Sequence, residues 1–294
     1  MNDWVKSGEI AGKARGYSRI LVKENASLKD VVEKIENKIV ELGGKCAFPV
    51  DLSINEMAAH YSPDVDDKIV FKKGDLVKVD IGVHVNGCVT DTALTIEVNS
   101  DKNKKLIDAS EKALEEAIKL VRVGIKVNEI GRVIKEVINE HGFSPIVNLS
   151  GHSLDKYMIH AGLTIPNYDN KNETKLKKGQ IIAIEPFATT GVGRVTEGKD
   201  SGVYGLISVK PVRDANVRKI LKYIEEEYKT LPFCRRWLVK KFSLFHVNNA
   251  LRILETNGIV KGYKILPEES KGLVSQSEHS LIVGGEVLTR DQPT

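Results

Sequence analysis

The sequence is poor in cysteine. Cys46, Cys88 and Cys234 are scattered, odd in number and never spaced CxxC, which argues against both a disulfide framework and a cysteine-rich zinc site. It also lacks any run of about 18 apolar residues, so no segment is expected to span a membrane. The opening stretch, MNDWVKSGEIAGKARGYSRIL, alternates charged and apolar residues at helical spacing and has no apolar core of signal-peptide length. Charge of one sign is scarce too: 44 basic against 40 acidic residues leave +4, too little to argue for a nucleic-acid protein. What remains is a chain of 294 residues, 41% hydrophobic and 29% charged, enough for one large domain or two ordinary ones. The expectation is a cytoplasmic, reduced, globular protein.

Residues 3–23 and 27–42 read as amphipathic helices. The second carries Leu28, Val31, Val32, Ile35, Ile39 and Leu42 on one face, with Ser27 to cap it and Gly43-Gly44 to stop it. Residues 75–98 read as a hairpin, because Val77, Val79, Ile81, Val83 and Val85 alternate up to Asn86-Gly87, a strong two-residue turn signal. Helical patterns return at 102–122 and 128–141, and a strand at 180–185.

These elements repeat. KKGDLVKVD (72–80) is echoed by KKGQIIAIE (177–185), each with a carboxylate six places after its glycine. SINEMAAH (53–60) is echoed by SLDKYMIH (153–160), and GCVTDTALTIEV around Asp91 loosely by GLVSQSEHSLIVGG around Glu278. A helix pair precedes each set. The order points to one helix–helix–strand unit of roughly 100 residues used twice, with half-repeats of about 1–98 and 99–294 in a single domain. The second copy is interrupted between Glu185 and Glu278. DANVRKILKYIEEEYKTL (214–231) and NNALRILETNGIVKGYKIL (248–266) read as helical, which suggests an inserted helical subdomain over about 190–272.

With Asn86-Gly87 at the turn centre, Val85 pairs with Cys88, Gly82 with Asp91 and Asp80 with Ala93. Asp80 and Asp91 are then diagonal neighbours on one face, about 5–8 Å apart, and Gly82 adds no side chain to crowd them. Carboxylates that close repel unless they share a proton or a cation. A pseudo-two-fold would bring Glu185 and Glu278 to the same centre. Four carboxylates with no arginine nearby point to divalent metal, two ions about 3.5–4 Å apart making a hydrolytic centre. His60, His152 and His160 lie just before the acid-bearing strands; one would be a ligand as neutral imidazole, the others donors to a substrate or its oxyanion. His84, His141, His246 and His279 have no such setting and read as structural.

AFPVDLSINEMAAHYSP, VKVDIGVHVNGCVTDTA, SGHSLDKYMIHAGLTIPN, IIAIEPFAT and SQSEHSLI together resemble the motifs of methionine aminopeptidases of type 2, in the family's order and over essentially the whole chain. The resemblance implies an α+β pita-bread fold of the creatinase/aminopeptidase kind, two duplicated α-α-β halves about a pseudo-two-fold, with an inserted, winged-helix-like helical subdomain. It implies two divalent metal ions (Co, Mn, Fe, Zn or Ni) on Asp80, Asp91, His152, Glu185 and Glu278, with Asp80 chelating one ion and Asp91 and Glu278 bridging both. A metal-activated hydroxide would attack the first peptide bond, with Glu185 as proton shuttle, His160 on the scissile carbonyl and His60 on the substrate backbone. Phe48, Ile159, Phe187 and Tyr263 would line the methionine pocket. A histidine that the family often carries soon after the Glu185 strand is missing from TTGVGRVTEGKDSGVYG. The implied partners are the N-terminal methionine of peptides or nascent proteins, with the ribosome a candidate; no membrane or specific nucleic acid is implied, and a monomer is favoured. The competing readings are a Xaa-Pro dipeptidase or aminopeptidase of the same fold, a non-catalytic relative binding RNA or protein, and a helix-turn-helix module using the basic CRRWLVKK (234–241).

Overall fold

Ser27 is extended, and its hydroxyl accepts the Asp30 N–H at 3.3 Å, which starts the second helix of the chain. In the computed structural model, which describes residues 2–291, that helix is α2 (Leu28–Glu41) and follows α1 (Asn2–Leu21). Met1 and residues 292–294, the ends of the expected half-repeats, lie outside the described residues. Both helices pack on a sheet whose central strand, Leu76–Val85, pairs antiparallel with Asp51–Ile54, Lys45–Cys46 and Cys88–Glu97. Leu28, Val31, Val32, Ile35 and Ile39 meet Val77, Val79, Ile81 and Val83 in one buried core. The hairpin valines supply one sheet face to that core and leave the opposite face to Asp80 and Gly82.

The second half repeats the plan. Helices α3 (Lys104–Leu120) and α4 (Val127–Glu140) cover a sheet ordered His279–Ile282, Ile181–Ile184, Ser150–Leu154, Thr164–Pro166. Ile130, Ile134 and Ile138 bury against Ile182, Ile184 and Leu281. In both halves a strand that carries or leads into a ligand-type acid, Leu76–Val85 with Asp80 inside it and Ile181–Ile184 just before Glu185, is central and flanked antiparallel by one earlier and one later strand. The halves are stitched strand to strand: Glu278 N–H donates to the Ala93 carbonyl at 2.9 Å, and the Thr92 and Thr95 hydroxyls donate to the Glu278 and Gln276 carbonyls at 2.8 Å each. This is the pita-bread architecture.

Between the strands Phe187–Thr189 and Val274–Gln276, which pair with each other, the chain makes a long excursion. Here α5 (Ala215–Glu227), α6 (Arg235–Leu238) and α7 (Leu244–Thr256) surround a three-stranded antiparallel sheet ordered Phe233–Cys234, Asp200–Leu206, Val260–Lys264. They bury their own core of Val217, Ile220, Ile224, Phe233, Val247, Leu251 and Leu254. The helical reading of 248–266 is corrected. The helix stops at Thr256, Gly258 turns with φ +61°, and Val260–Lys264 is a strand. Ile259-Val260 after a positive-φ glycine favours extended chain, and the pairing with Asp200–Leu206 that completes it is invisible to local periodicity.

The two arginines of the basic CRRWLVKK stretch are paired internally, while Lys240 and Lys241 are exposed. Arg236 forms a fork with Glu36 of α2, Nη1 to Oε2 and Nη2 to Oε1 both at 2.6 Å, and its Nε donates to the Pro63 carbonyl at 3.1 Å. Trp237 Nε1 adds a bond to Glu36 at 2.9 Å, and Arg235 grips Asp64 through two nitrogens. Arg236 is 2% exposed, so it is not available to a phosphate backbone. Among the described residues, no helix is long and apolar enough to cross a membrane. Arg236→Ala leaves the buried Glu36 carboxylate without its counter-charge, with only the Trp237 N–H still bonded to it, which should lower unfolding stability by about 3–5 kcal/mol. Denaturant titration checks it; a loss under about 1 kcal/mol would mean that the fork contributes little to holding this excursion against α2.

Candidate metal centre

The hairpin register places the first two acids. Asn86 and Gly87 turn with φ +50° and +88°, and the ladder runs Val85 with Cys88, Gly82 with Asp91 and Asp80 with Ala93. Both positive φ values are what a two-residue turn needs to match the strand twist. Gly82 does more than leave room for the carboxylates: a Cβ there would sit 2.2 Å from the Phe48 ring, so the glycine admits that ring against the sheet.

The second half closes the cluster. His152 stands on the strand Ser150–Leu154, Glu185 follows Ile181–Ile184, and Glu278 precedes His279–Ile282. His152 Nε2 lies 3.5 Å from Glu185 Oε1 and 3.7 Å from Asp91 Oδ2. One ligand atom each from Asp91, His152 and Glu278 falls within 4.8 Å of the others. Asp80 is Asp91's diagonal neighbour on the same sheet face and accepts the Gln276 amide at 3.1 Å. The structure thus brings the five residues to one place, with Asp91, His152 and Glu278 forming the tightest group.

Their electrostatics are those of a site that favours a cation. Burial pushes Asp80 up to about 6. Asp91 is driven well above the carboxylate range by burial, then by Asp80 and Glu185; Glu185 by burial and Asp80; and Glu278 by burial, then by Asp91 and Asp80. Burial, with His160 beside it, holds His152 down at about 3, so the imidazole is neutral. One oxygen each of Asp80 and Asp91 and both oxygens of Glu278 are buried with no hydrogen-bond partner among the described residues. The expectation of no nearby arginine is corrected in part. The field of Arg15 reaches Glu278, but its guanidinium is paired with Asp291 at 2.8 Å. Orphaned carboxylate oxygens beside a neutral imidazole nitrogen form a donor set that fits a divalent cation.

Above the cluster opens a cavity of about 590 Å³. Asp80, Asp91, His152 and Glu185 form its polar end, and Phe48, Ile159, Phe187 and Tyr263 contribute apolar wall. Glu278, 1% exposed, does not line it. His60 and His160 both face the cavity. His60 sits at φ +69° with Nδ1 3.1 Å from the Lys264 carbonyl. A carbonyl only accepts, so Nδ1 carries the proton and Nε2 is a free acceptor. Burial lowers the pKa of both His60 and His160, whose ring lies 4.5 Å from that of His152. The other histidines have local partners: His84 accepts the Gly87 N–H, His141 meets the Val137 carbonyl, His246 the Ser243 hydroxyl and His279 the Thr289 hydroxyl.

Two site residues escaped the sequence reading. Asp51 is the direct cross-strand partner of Asp80 and lines the cavity. Unlike the cluster acids its oxygens are filled: Oδ1 accepts the Ser53 hydroxyl at 2.7 Å and the Tyr61 N–H at 3.0 Å, and Oδ2 accepts the His60 N–H. It therefore braces the left-handed turn at His60. Gln276 braces Asp80 in the same way. Pairing the strand 51–54 to the hairpin would have exposed Asp51; nothing local marks Gln276.

The comparisons agree with this geometry. The Metallopeptidase family M24 profile matches residues 4–214. The chain belongs to this family. It is 48% identical to a methionine aminopeptidase of Thermococcus onnurineus over 280 residues, covering 95% of each chain. In fold it is similar to a thermophilic Arx1, with TM-score 0.86 at 14% identity over 100% of this chain and 91% of that one. It is likewise similar to a methionine aminopeptidase of Thermotoga maritima, with TM-score 0.71 at 23% identity over 97% and 94%. The chain is thus a metallopeptidase that uses divalent metal, a requirement that the orphaned oxygens explain.

Removing metal should destabilise the fold. A protein stripped with a chelator should melt several degrees lower, and Mn²⁺ or Co²⁺ at 100 times its dissociation constant should restore about 2.7 kcal/mol. Thermal denaturation across a metal titration measures this; a melting temperature indifferent to every divalent ion would rule the cluster out as a binding site.

Proposed function

We propose that the chain is a methionine aminopeptidase of type 2, with two divalent ions held by Asp80, Asp91, His152, Glu185 and Glu278. It removes the N-terminal methionine from peptides and nascent proteins. The observation that carries this reading is the set of buried, unpartnered carboxylate oxygens, those of Asp80 and Asp91 at the polar end of a cavity with aromatic and aliphatic walls and those of Glu278 beside them. Such walls suit an unbranched, polarisable thioether.

When bound, the ions neutralise the carboxylates and supply a water acidified enough to attack a peptide carbonyl near neutral pH. The chain's own groups do the rest. Phe48, Ile159, Phe187 and Tyr263 seat the methionine side chain. Neutral His160, at the cavity wall beside His152, donates to the scissile carbonyl oxygen as charge develops on it. His60, its Nδ1–H committed to Lys264, offers Nε2 as an acceptor for a substrate N–H. Glu185 takes the proton that the attacking water loses and delivers it to the departing nitrogen. After Glu185 the chain contributes Phe187 and then Val203 to the wall, so no histidine from 188–202 takes part.

The same reading makes residues of about 190–272 the inserted subdomain of type 2 enzymes and places the protein in the cytoplasm as a monomer, where the ribosome presents nascent N-termini. A silent relative is disfavoured because all five ligand-type residues converge. The module that reads nucleic acid is disfavoured because Arg235 and Arg236 are already paired.

Two measurements test it. With Mn²⁺, Co²⁺ or Fe²⁺, a Met-Ala-Ser peptide should release free methionine. Release only from Xaa-Pro peptides would favour the proline-specific reading, and no release from a folded, metal-loaded protein would end the aminopeptidase one. Asp91→Ala removes a proposed ligand to both ions and should cost at least about 100-fold in turnover, the upper range for losing even an outer-shell partner. Full turnover with undiminished metal content would contradict the two-ion centre.

A further inference from the structure

Tyr157 stands three residues before His160 and belongs to none of the motif positions given a role above. Its backbone is left-handed, φ +57°, a conformation that costs energy for a bulky residue unless its surroundings enforce it. Here two separate parts of the chain enforce it. Its N–H donates to the Gly87 carbonyl at 2.7 Å, at the tip of the metal-bearing hairpin. Its own carbonyl accepts the Thr230 hydroxyl, from the segment between α5 and the strand Phe233–Cys234. Its ring lies against Gly87, where a Cβ would come within 2.3 Å, and Lys229 Nζ stands 3.9 Å from the ring centroid. Tyr157 lines both the cavity and a second cleft of about 310 Å³ behind it, so its ring forms part of the partition between them.

We propose that Tyr157 is a positioning residue for His160, a latch that ties the segment 155–160 to the hairpin tip and to Lys229-Thr230. Leaving the latch, the chain has Met158 bonded back to Asp155 and Ala161 bonded to Ser153, so few conformations remain for Ile159-His160 between those ties. The latch sets the angle at which His160 enters the cavity beside His152. Gly87 thus serves two ends, as the hairpin turn and as the seat of the ring. The proposal rests on the aminopeptidase reading for its kinetic consequence, but the placement of His160 can be read without turnover.

The experiment compares Tyr157→Ala, Tyr157→Phe and Gly87→Ala with the parent protein, each checked for folding and metal content. In ¹⁵N-labelled, Zn²⁺-loaded protein the His160 ring resonances should shift or broaden in Tyr157→Ala and Gly87→Ala and stay in place in Tyr157→Phe. Should Tyr157→Ala fail to fold, Thr230→Ala serves as the milder release of the same latch. With a Met-Ala-Ser substrate, kcat should fall about 10-fold or more with KM and metal content little changed, as small misplacements of catalytic groups do. Tyr157→Phe should recover most of it. The double variant Tyr157→Ala/His160→Ala should be no slower than His160→Ala alone, because the two act as one unit. Unmoved His160 resonances, multiplicative losses or lost metal would each overturn the proposal. A parent protein that releases no methionine would overturn the aminopeptidase reading instead, with the resonances still deciding the latch.

Discussion

Four carboxylates buried in one place are the constraint around which this fold is arranged. Two like charges about 4 Å apart repel by about 4 kcal/mol at the effective dielectric of a protein surface, and burial adds a penalty for every ionised group. Asp80, Asp91, Glu185 and Glu278 bear both costs together, and their elevated proton affinities show it. A flexible scaffold would let them separate. They are held instead on strands or at strand ends whose neighbouring residues are locked into the two helix-covered cores, with Asp91 and Glu278 fixed by bonds that cross between the halves.

The buried acids of this chain sort by whether protein donors fill their oxygens. Glu36 receives Arg236 and Trp237; Glu268 receives the N–H groups of Gly193, Ser270 and Gly272 and the Ser270 hydroxyl; Asp51 receives Ser53, His60 and Tyr61. Glu268 and Asp51 each brace a turn or loop, and Glu36 ties α2 to the excursion. Asp91 and Glu278 are just as buried, yet three of their four oxygens have no partner. Burial alone therefore does not distinguish a bracing acid from a ligand. The unmet hydrogen-bonding capacity does, because such a group is stable only when something outside the protein meets it.

Much of this was legible in the chain because it rests on local signals. Asn86-Gly87 fixes the hairpin register by turn chemistry, and the register alone puts Asp80 and Asp91 on one face. The echo of KKGDLVKVD in KKGQIIAIE is plain repetition and points to Glu185 directly. What stayed hidden depends on contacts between distant segments. Asp51 meets Asp80 only through a pairing with a separate strand, and Gln276 reaches Asp80 from the other half. Gly82 looked like space for carboxylates and proved to be space for Phe48, whose approach no periodicity records. Val260–Lys264 continued a helical pattern and became a strand because Asp200–Leu206 offered it a ladder.

The excursion between Glu185 and Glu278 is bound up with the site more closely than its place in the chain suggests. Its strand Val260–Lys264 supplies the Lys264 carbonyl that fixes the tautomer of His60 and the Tyr263 ring that packs edge-on to it at 5.9 Å. Its Lys229-Thr230 turn holds Tyr157, three residues from His160. The two histidines that face the cavity without joining the acid cluster are thus each braced from this segment, whereas the five cluster residues are braced by the duplicated halves. The buried Glu36–Arg236 fork ties the segment to α2. It is one of several ties to the first half, with Arg235–Asp64, Lys45–Glu227 and the pairing of Leu266–Pro267 with Met57–Ala59, and together they hold the groups that brace His60 and His160 against the half that carries Asp80 and Asp91.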